Sequence, residues 1–324
     1  MEQGITFITH ANCNDGTMSA VVFKLFIEAG VYPGVKDNYE IIFKNYNDTI
    51  DVSYKYDSVY FVDFSTSVDN YVKILENGHS INVIDHHVSA RKTLIEHTDK
   101  LGQLVILNDT ILEIAASETS NFTAIVDTSK CGASLYFDVV KNSLPDKNAW
   151  GCATSQFRIR FYDVMERVED RDLWKYELTD TDVIANMLKG KDPDQVIELL
   201  KNSEMYDKEY ISSEAIVNYQ ETVNKSAASK AFEIQFQGYT VPVVNTGNGI
   251  SISKVGEELY TTRDIPFCIM FFITKDTMVC SLRSAKNGVL VNEIAEKFGG
   301  GGHPNAAGFS LPFSSIPDLL LGKL

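Results

Sequence analysis

The chain has no run of eighteen apolar residues, so no segment reads as a membrane span. Its opening, Met1-Glu2-Gln3-Gly4, lacks the basic flank of a secretory signal, and a soluble cytoplasmic protein is the expectation. Cysteine is sparse: Cys13, Cys131, Cys152, Cys268 and Cys280 are odd in number, widely spread and without a C-x-x-C pair. That argues against a disulfide framework and a thiolate zinc site, and leaves most of the cysteines as small core residues. Basic residues are outnumbered, 29 lysines and arginines against 44 acids, giving a formal charge of -15 and a pI near 4.8. A surface of that sign does not suit a protein that grips long duplex nucleic acid through many phosphates, although short phosphorylated ligands stay open.

What is present is enough to build cores. At 324 residues and 44% hydrophobic, the chain has room for two ordinary domains. Periodicity predicts a strand over Ile5–Thr9, a helix over Thr17–Ala29, strands over Glu40–Tyr46 and Ser58–Asp63, a helix over Val68–Glu76 and a strand over Ser80–Ile84. This alternation implies a parallel sheet covered on both faces. Helices follow over Cys131–Lys141 and Ser155–Trp174, and the chain is mainly helical from Val183 to Phe232. Strands over Thr240–Asn245, Phe267–Ile273 and Met278–Leu282, with a helix over Val291–Phe298, describe a smaller α/β unit. The expected organisation is a domain over 1–190, a helical connector over 191–230 with a polar boundary at Asn224–Lys230, and a second domain over 231–324.

His10, Asp15, Asp63, Asp85, His86 and His87 fall at, or just beyond, the carboxyl ends of predicted strands, the edge at which open α/β sheets bind ligands. Asp170, in a charged interruption of a helix, is the further candidate for that edge. Each has an ordinary reading. His10 fits a loop histidine, Asp63 a helix cap, Asp15-Gly16 a turn, and Asp170-Arg171-Asp172 a solvated charge patch. The weight lies in their coincidence at one edge. Carboxylates and imidazoles without thiolate suit manganese, iron(II), cobalt or zinc, and manganese best where oxygen predominates. A pair of metals sharing a carboxylate would polarise a phosphoryl oxygen and supply hydroxide for in-line attack on phosphorus, with Asp63 the natural bridge. Near the other end, Gly299-Gly300-Gly301-Gly302-His303 presents backbone N–H groups that can approach an anion closely.

These residues fall into motifs. Ile8-Thr9-His10 through Asp15-Gly16-Thr17-Met18-Ser19-Ala20, then Val62-Asp63, Asp85-His86-His87 and Glu169-Asp170-Arg171-Asp172-Leu173-Trp174, resemble the four motifs of the DHH phosphoesterase superfamily. Gly300 to Phe309 and Ser281-Leu282-Arg283-Ser284 are similar to its DHH-associated C-terminal domain. The resemblance covers nearly the whole chain. It implies a metal-dependent phosphodiesterase of the RecJ-like or nanoRNase-like kind, acting from an interdomain cleft on short oligonucleotides or linear dinucleotides. A cyclic-dinucleotide phosphodiesterase and a catalytically weakened nucleotide-binding protein are the rival readings. It further implies two manganese ions, with magnesium or cobalt as substitutes, on His10, Asp15, Asp63, His86 and Asp170. His87, with Asp85 and Asp63, takes the catalytic roles, while Arg283, Gly300, Gly301, Gly302 and His303 hold substrate phosphate and Ser134 lines the site. One departure stands out: the family's first motif carries two aspartates, and this chain carries only Asp15. Asn12 or Asn14 is expected in the second place, bringing no charge and weakening one metal site, with Asp172 as a compensating ligand.

Overall fold

Nine residues from Glu2 to His10 form the first strand, β1, which buries Ile5 and Phe7 on one face and Ile8 on the other. The computed structural model describes residues 1–323 other than 47, 107, 118–119, 145–153 and 248, so Cys152 lies outside the described residues. The chain divides into two compact units, Met1–Glu214 and Ala215–Leu324.

In the first unit β1 is followed by α1 (Asn14–Glu28), β2 (Tyr39–Lys44), β3 (Tyr56–Val62), α2 (Val68–Glu76), β4 (Ser80–Asp85), α3 (Val88–Glu96) and α4 (Thr98–Leu101). Then come β5 (Gln103–Ile106), β6 (Ile111–Ala115), β7 (Phe122–Asp127), α5 (Gly132–Val140), α6 (Ser155–Asp172), α7 (Thr181–Leu188), α8 (Pro193–Lys201) and the long helix α9 (Ser203–Ser229), which runs into the second unit. The sheet order is β2-β1-β3-β4-β7-β6-β5. Strands β2, β1, β3, β4 and β7 pair in parallel, whereas β6 and β5 pair antiparallel. The expectation of a parallel sheet therefore holds for five of the seven strands. The last two differ because the few residues joining β5 to β6 and β6 to β7 are too short for a crossover. Apolar clusters cover both faces, one containing Phe7, Phe23, Phe26, Tyr136 and Phe161, the other Ile8, Phe61, Tyr71 and Phe122. Helix α2 shows why the periodicity was readable: Ser67 caps its start by accepting from the Asn70 amide, and Val68, Tyr71 and Ile74 form its buried stripe.

The second unit adds β8 (Phe232–Phe236), β9 (Tyr239–Asn245), α10 (Ile252–Thr262), β10 (Cys268–Ile273), β11 (Thr277–Arg283), α11 (Val291–Glu296), β12 (Gly301–His303), β13 (Ala306–Pro312) and α12 (Ile316–Leu320). Its sheet runs β12-β13-β11-β10-β9-β8, antiparallel except where β10 meets β9. One face packs on Val291, Ile294 and Ala295, the other on Val255, Leu259 and the end of α9. The polar segment at Asn224–Lys230 belongs to that packing. Asn224 is buried and its Oδ1 accepts from the Ser251 amide, while Ala227 and Ala228 enter the core. Among the described residues no helix is long and apolar enough to cross a membrane.

Candidate metal centre

Strands β1, β3 and β4 lie side by side and parallel, so their carboxyl ends bring His10, Asp63 and Asp85-His86-His87 to one edge. The chain leaves β1 toward β2 on one side and later returns to β3 on the other. His10 and Asp63 therefore flank the switch point, where a crevice opens in such sheets. Two residues there adopt left-handed backbone, Asn12 with φ 56° and Asp63 with φ 56°. Both types tolerate that region better than bulkier residues do.

After the Asn12 turn, α1 begins at once, with Cys13 at its N-cap and Asp15 in its first turn. Gly16 is not part of a turn. A Cβ there would lie 2.1 Å from the His10 carbonyl oxygen, so glycine is what lets the helix start against the end of β1. The buried Asp15 carboxylate accepts from the first amides of α5, Gly132 N at 2.6 Å and Ala133 N at 2.8 Å. Gly132 is required in turn: a Cβ on it would sit 2.5 Å from Asp63 Cβ and 3.1 Å from Asp15 Oδ2.

The His86 ring joins the carboxylates. Its Nε2 lies 3.1 Å from Asp63 Oδ1, 3.4 Å from Asp172 Oδ2 and 3.6 Å from Asp15 Oδ2. Three sets of potential ligand atoms each fall within 4.8 Å of one another: His10-Cys13-Asp63, Asp63-His86-His87 and Asp15-His86-Asp172. Asp63 belongs to the first two, His86 to the last two. The other oxygen of Asp63, Oδ2, is buried without a hydrogen-bond partner, a costly state that a cation would relieve. Burial, the neighbouring Asp172 and then Asp85 push the Asp63 carboxyl well above its ordinary range, and burial with Asp63 and Asp172 does the same to Asp15. Burial with Asp63 and Asp15 likewise raises the Cys13 thiol. Crowded buried acids of this kind fit a divalent metal, which neutralises the repulsion.

Asp85 serves differently. It is wholly buried, and its Oδ1 accepts from the amides of His86 at 2.7 Å and His87 at 3.2 Å and faces His87 Nδ1 at 2.7 Å. The Ser65 hydroxyl closes on its Oδ2. Burial, which would raise its pKa, is outweighed by the bonds from His87 and Ser65, and the carboxyl sits below its usual range. Asp85 thus positions His87 rather than reaching the metal edge itself. Burial, then the imidazole of His87, lowers the pKa of His10.

The structure redistributes several residues that the sequence pointed to. Asp170, expected as a ligand, is buried but accepts from the amides of Glu177 at 2.8 Å and Leu178 at 3.4 Å and from Thr181 Oγ1 at 2.5 Å. Burial opposes its ionisation, but these bonds win and lower its pKa. It ties α6 to the start of α7, and Asp172, one half-turn on, reaches His86 instead. Neither asparagine falls in the three ligand sets, which consist of histidine, cysteine and carboxylate groups. Asn14 Nδ2 donates to the Ala185 carbonyl at 2.9 Å and Asn12 is exposed. Cys13, which the sequence did not single out, brings its sulfur to the cluster, and the donor set is not free of thiol. Ser134 sits 3.4 Å from the buried Cys131 sulfur, on α5. Tyr46 was not singled out by the sequence. Its ring is 51% exposed, stacks on Phe64 at 5.2 Å and lies edge-on to His87 at 5.7 Å. With Phe64, Ser65, Thr66, Asn70 and Ser89 it lines a cavity of about 570 Å³.

In the second unit, Arg283 ends β11 and its Nη1 donates to the Leu282 carbonyl at 2.9 Å. The glycine run has packing reasons of its own. Gly299 is left-handed after α11, and a Cβ on Gly300 would lie 2.1 Å from the Gly308 carbonyl oxygen. One on Gly302 would lie 2.6 Å from that of Ala306, whereas Gly301 has open space and His303 is exposed.

Residues 237–321 match the DHHA1 domain. Across 97% of this chain and 71% of its own length, an uncharacterized protein, R106, of Acanthamoeba polyphaga mimivirus is 23% identical. Among solved structures, a pGpG-specific phosphodiesterase, PggH, from Vibrio cholerae superposes with a TM-score of 0.51 at 10% identity, covering 98% of this chain and 96% of that one. The DHH domain of a member of a ribosomal protein family gives 0.51 at 13% identity, covering 98% and 85%. These likenesses establish the fold.

Proposed function

We propose that the chain, whose residues 237–321 match the DHHA1 domain and whose fold is shared with DHH-domain structures, is a member of the DHH superfamily and a manganese-dependent phosphodiesterase that cleaves short oligonucleotides or linear dinucleotides to mononucleotides. The observation that carries this reading is the overlap of the ligand sets through Asp63 and His86, with one buried Asp63 oxygen left unpartnered. When bound, a pair of divalent ions would supply a Lewis acid for the phosphoryl oxygen and a nucleophile at neutral pH. Asp15, Asp63, His86 and Asp172, with His10, are the residues that would hold them. Residues of α5 do the orienting: the amides of Gly132 and Ala133 fix the Asp15 carboxylate before any ion arrives.

His87 is the general acid of this reading. Asp85 accepts at Nδ1, so Nε2 is the atom that faces the reacting phosphate and delivers a proton to the leaving oxygen. The exposed ring of Tyr46 offers a stacking surface for a base, and the cavity beside it is of a size to take one nucleoside. Within the second unit, Arg283 and the backbone about Gly301, with His303, carry donors suited to a phosphate group. The dinucleotide specificity in the name of the Vibrio protein and the acidic surface of this one both favour short substrates.

The test is a substrate panel with Mn²⁺ and, separately, Mg²⁺: di- to pentanucleotides, cyclic dinucleotides, pyrophosphate and polyphosphate, with Asp63→Asn as the inactive control. Release of mononucleotides from linear dinucleotides is expected. Turnover confined to cyclic dinucleotides or polyphosphate, or none at all, would overturn the reading.

A further inference from the structure

The ligand sets differ in chemistry: His10-Cys13-Asp63 offers nitrogen, sulfur and oxygen, whereas Asp15-His86-Asp172 offers two carboxylates and an imidazole. Resting on the proposed function only for the presence of divalent metal at this edge, we propose that Cys13 is a thiolate ligand of one metal of the pair. The centre is then asymmetric, with a borderline-soft ion such as zinc, iron(II) or cobalt on His10, Cys13 and Asp63, beside a harder ion on the carboxylate-rich set.

Position supports this assignment first. Cys13 is the N-cap of α1, a place where serine, threonine, asparagine or aspartate stabilises a helix, yet its side chain makes no capping bond. The ligand atoms of Cys13, His10 and Asp63 nevertheless converge within 4.8 Å. Asp63, only 1% exposed, carries the buried oxygen that lacks a partner, an independent sign that a cation belongs at this spot. The asparagines on either side are committed elsewhere, Asn14 to the Ala185 carbonyl and Asn12 to the exposed turn. The other described cysteines join none of the three ligand sets: Cys131 meets Ser134 and lies beside Asp15, Cys268 lies 3.9 Å from the Gly256 carbonyl, and Cys280 is enclosed in the sheet core.

Coordination of this kind replaces the S–H bond by a metal–sulfur bond and releases the thiol proton to solvent. The thiolate restores the negative charge that the first motif lacks for want of a second aspartate. It also changes the metal preferred, because sulfur discriminates against manganese and magnesium in favour of softer ions.

Cobalt(II) titration of the metal-stripped full chain tests this directly. A sulfur-to-cobalt charge-transfer band in the near ultraviolet is expected, and Cys13→Ser should abolish it while lowering cobalt affinity about tenfold or more. Serine is a good N-cap, so that variant keeps the helix. Cys13→Asp should also lack the band, yet bind manganese more tightly than the unsubstituted chain. Full cobalt binding without the band, or a band that persists in both variants, would overturn the assignment. The readout is independent of turnover: a failed substrate panel with the band present removes the phosphodiesterase reading and leaves the ligand in place.

Discussion

The Nδ1 atom of His87 lies 2.7 Å from Oδ1 of Asp85, and the same oxygen accepts from the His86 and His87 amides. Because burial is outweighed by these bonds and that of Ser65, Asp85 stays ionised and can only accept, so His87 must carry its proton on Nδ1. The orientation of the ring and its tautomer are therefore set by one carboxylate. Asp85→Asn should lower kcat by about 100-fold or more while leaving KM within a few-fold, since general acid catalysis fails but phosphate binding does not. Equal activity in the variant would show that His87 does not act through this bond.

Asp170 and Asp172 separate by role. Asp170→Asn weakens three bonds that tie residues 177–181 to α6, and a loss of about 2 kcal/mol or more in urea unfolding is expected, with metal binding per folded molecule kept. Asp172→Asn should do the reverse, leaving stability unchanged and weakening manganese binding by about tenfold or more. Paired unfolding curves and metal titrations on both variants decide it.

Gly132→Ala places a methyl group 2.5 Å from Asp63 Cβ and 2.8 Å from its Cα. Neither atom can retreat without disturbing the left-handed Asp63 backbone. A loss of about 1–3 kcal/mol in stability is expected, with metal affinity falling by more than that change alone explains. Manganese titration followed by electron paramagnetic resonance would measure the second effect.

Metal and pH should be linked. Burial and neighbouring carboxylates hold Asp15 and Asp63 well above the ordinary carboxylate pKa. A group raised in the fold stabilises it while protonated, below about pH 4, and that contribution is lost as pH climbs through the folded value. Asp85 and Asp170 work in the opposite sense: their lowered values stabilise the fold above about pH 4, and that stability is lost as pH falls through them. Metal binds the ionised forms of Asp15 and Asp63. The rise in Tm on adding Mn²⁺ should therefore grow as pH is raised above the ordinary carboxylate range. An equal or larger rise at the acidic end would contradict the assignment of these two carboxylates.

The sequence by itself determined the βα alternation of the first unit, the sheet edge and the motif residues His10, Asp63 and Asp85-His86-His87. Apolar periodicity and strand-end position are local signals, legible without knowing what packs where. The antiparallel strands β6 and β5 escaped it, because direction depends on which neighbour a short strand finds. Only the tertiary structure separates the surroundings of Asp170 from those of Asp172. The two stand a half-turn apart on α6, so one points inward to the Glu177–Thr181 amides and hydroxyl and the other toward His86, and no spacing rule says which. The same holds at Asn12-Cys13-Asn14. The resemblance to the family's first motif put Asn12 or Asn14 in the place of its second aspartate, whereas the fold sets Asn12 in a left-handed turn, gives Asn14 Nδ2 to the Ala185 carbonyl and brings Cys13 together with His10 and Asp63.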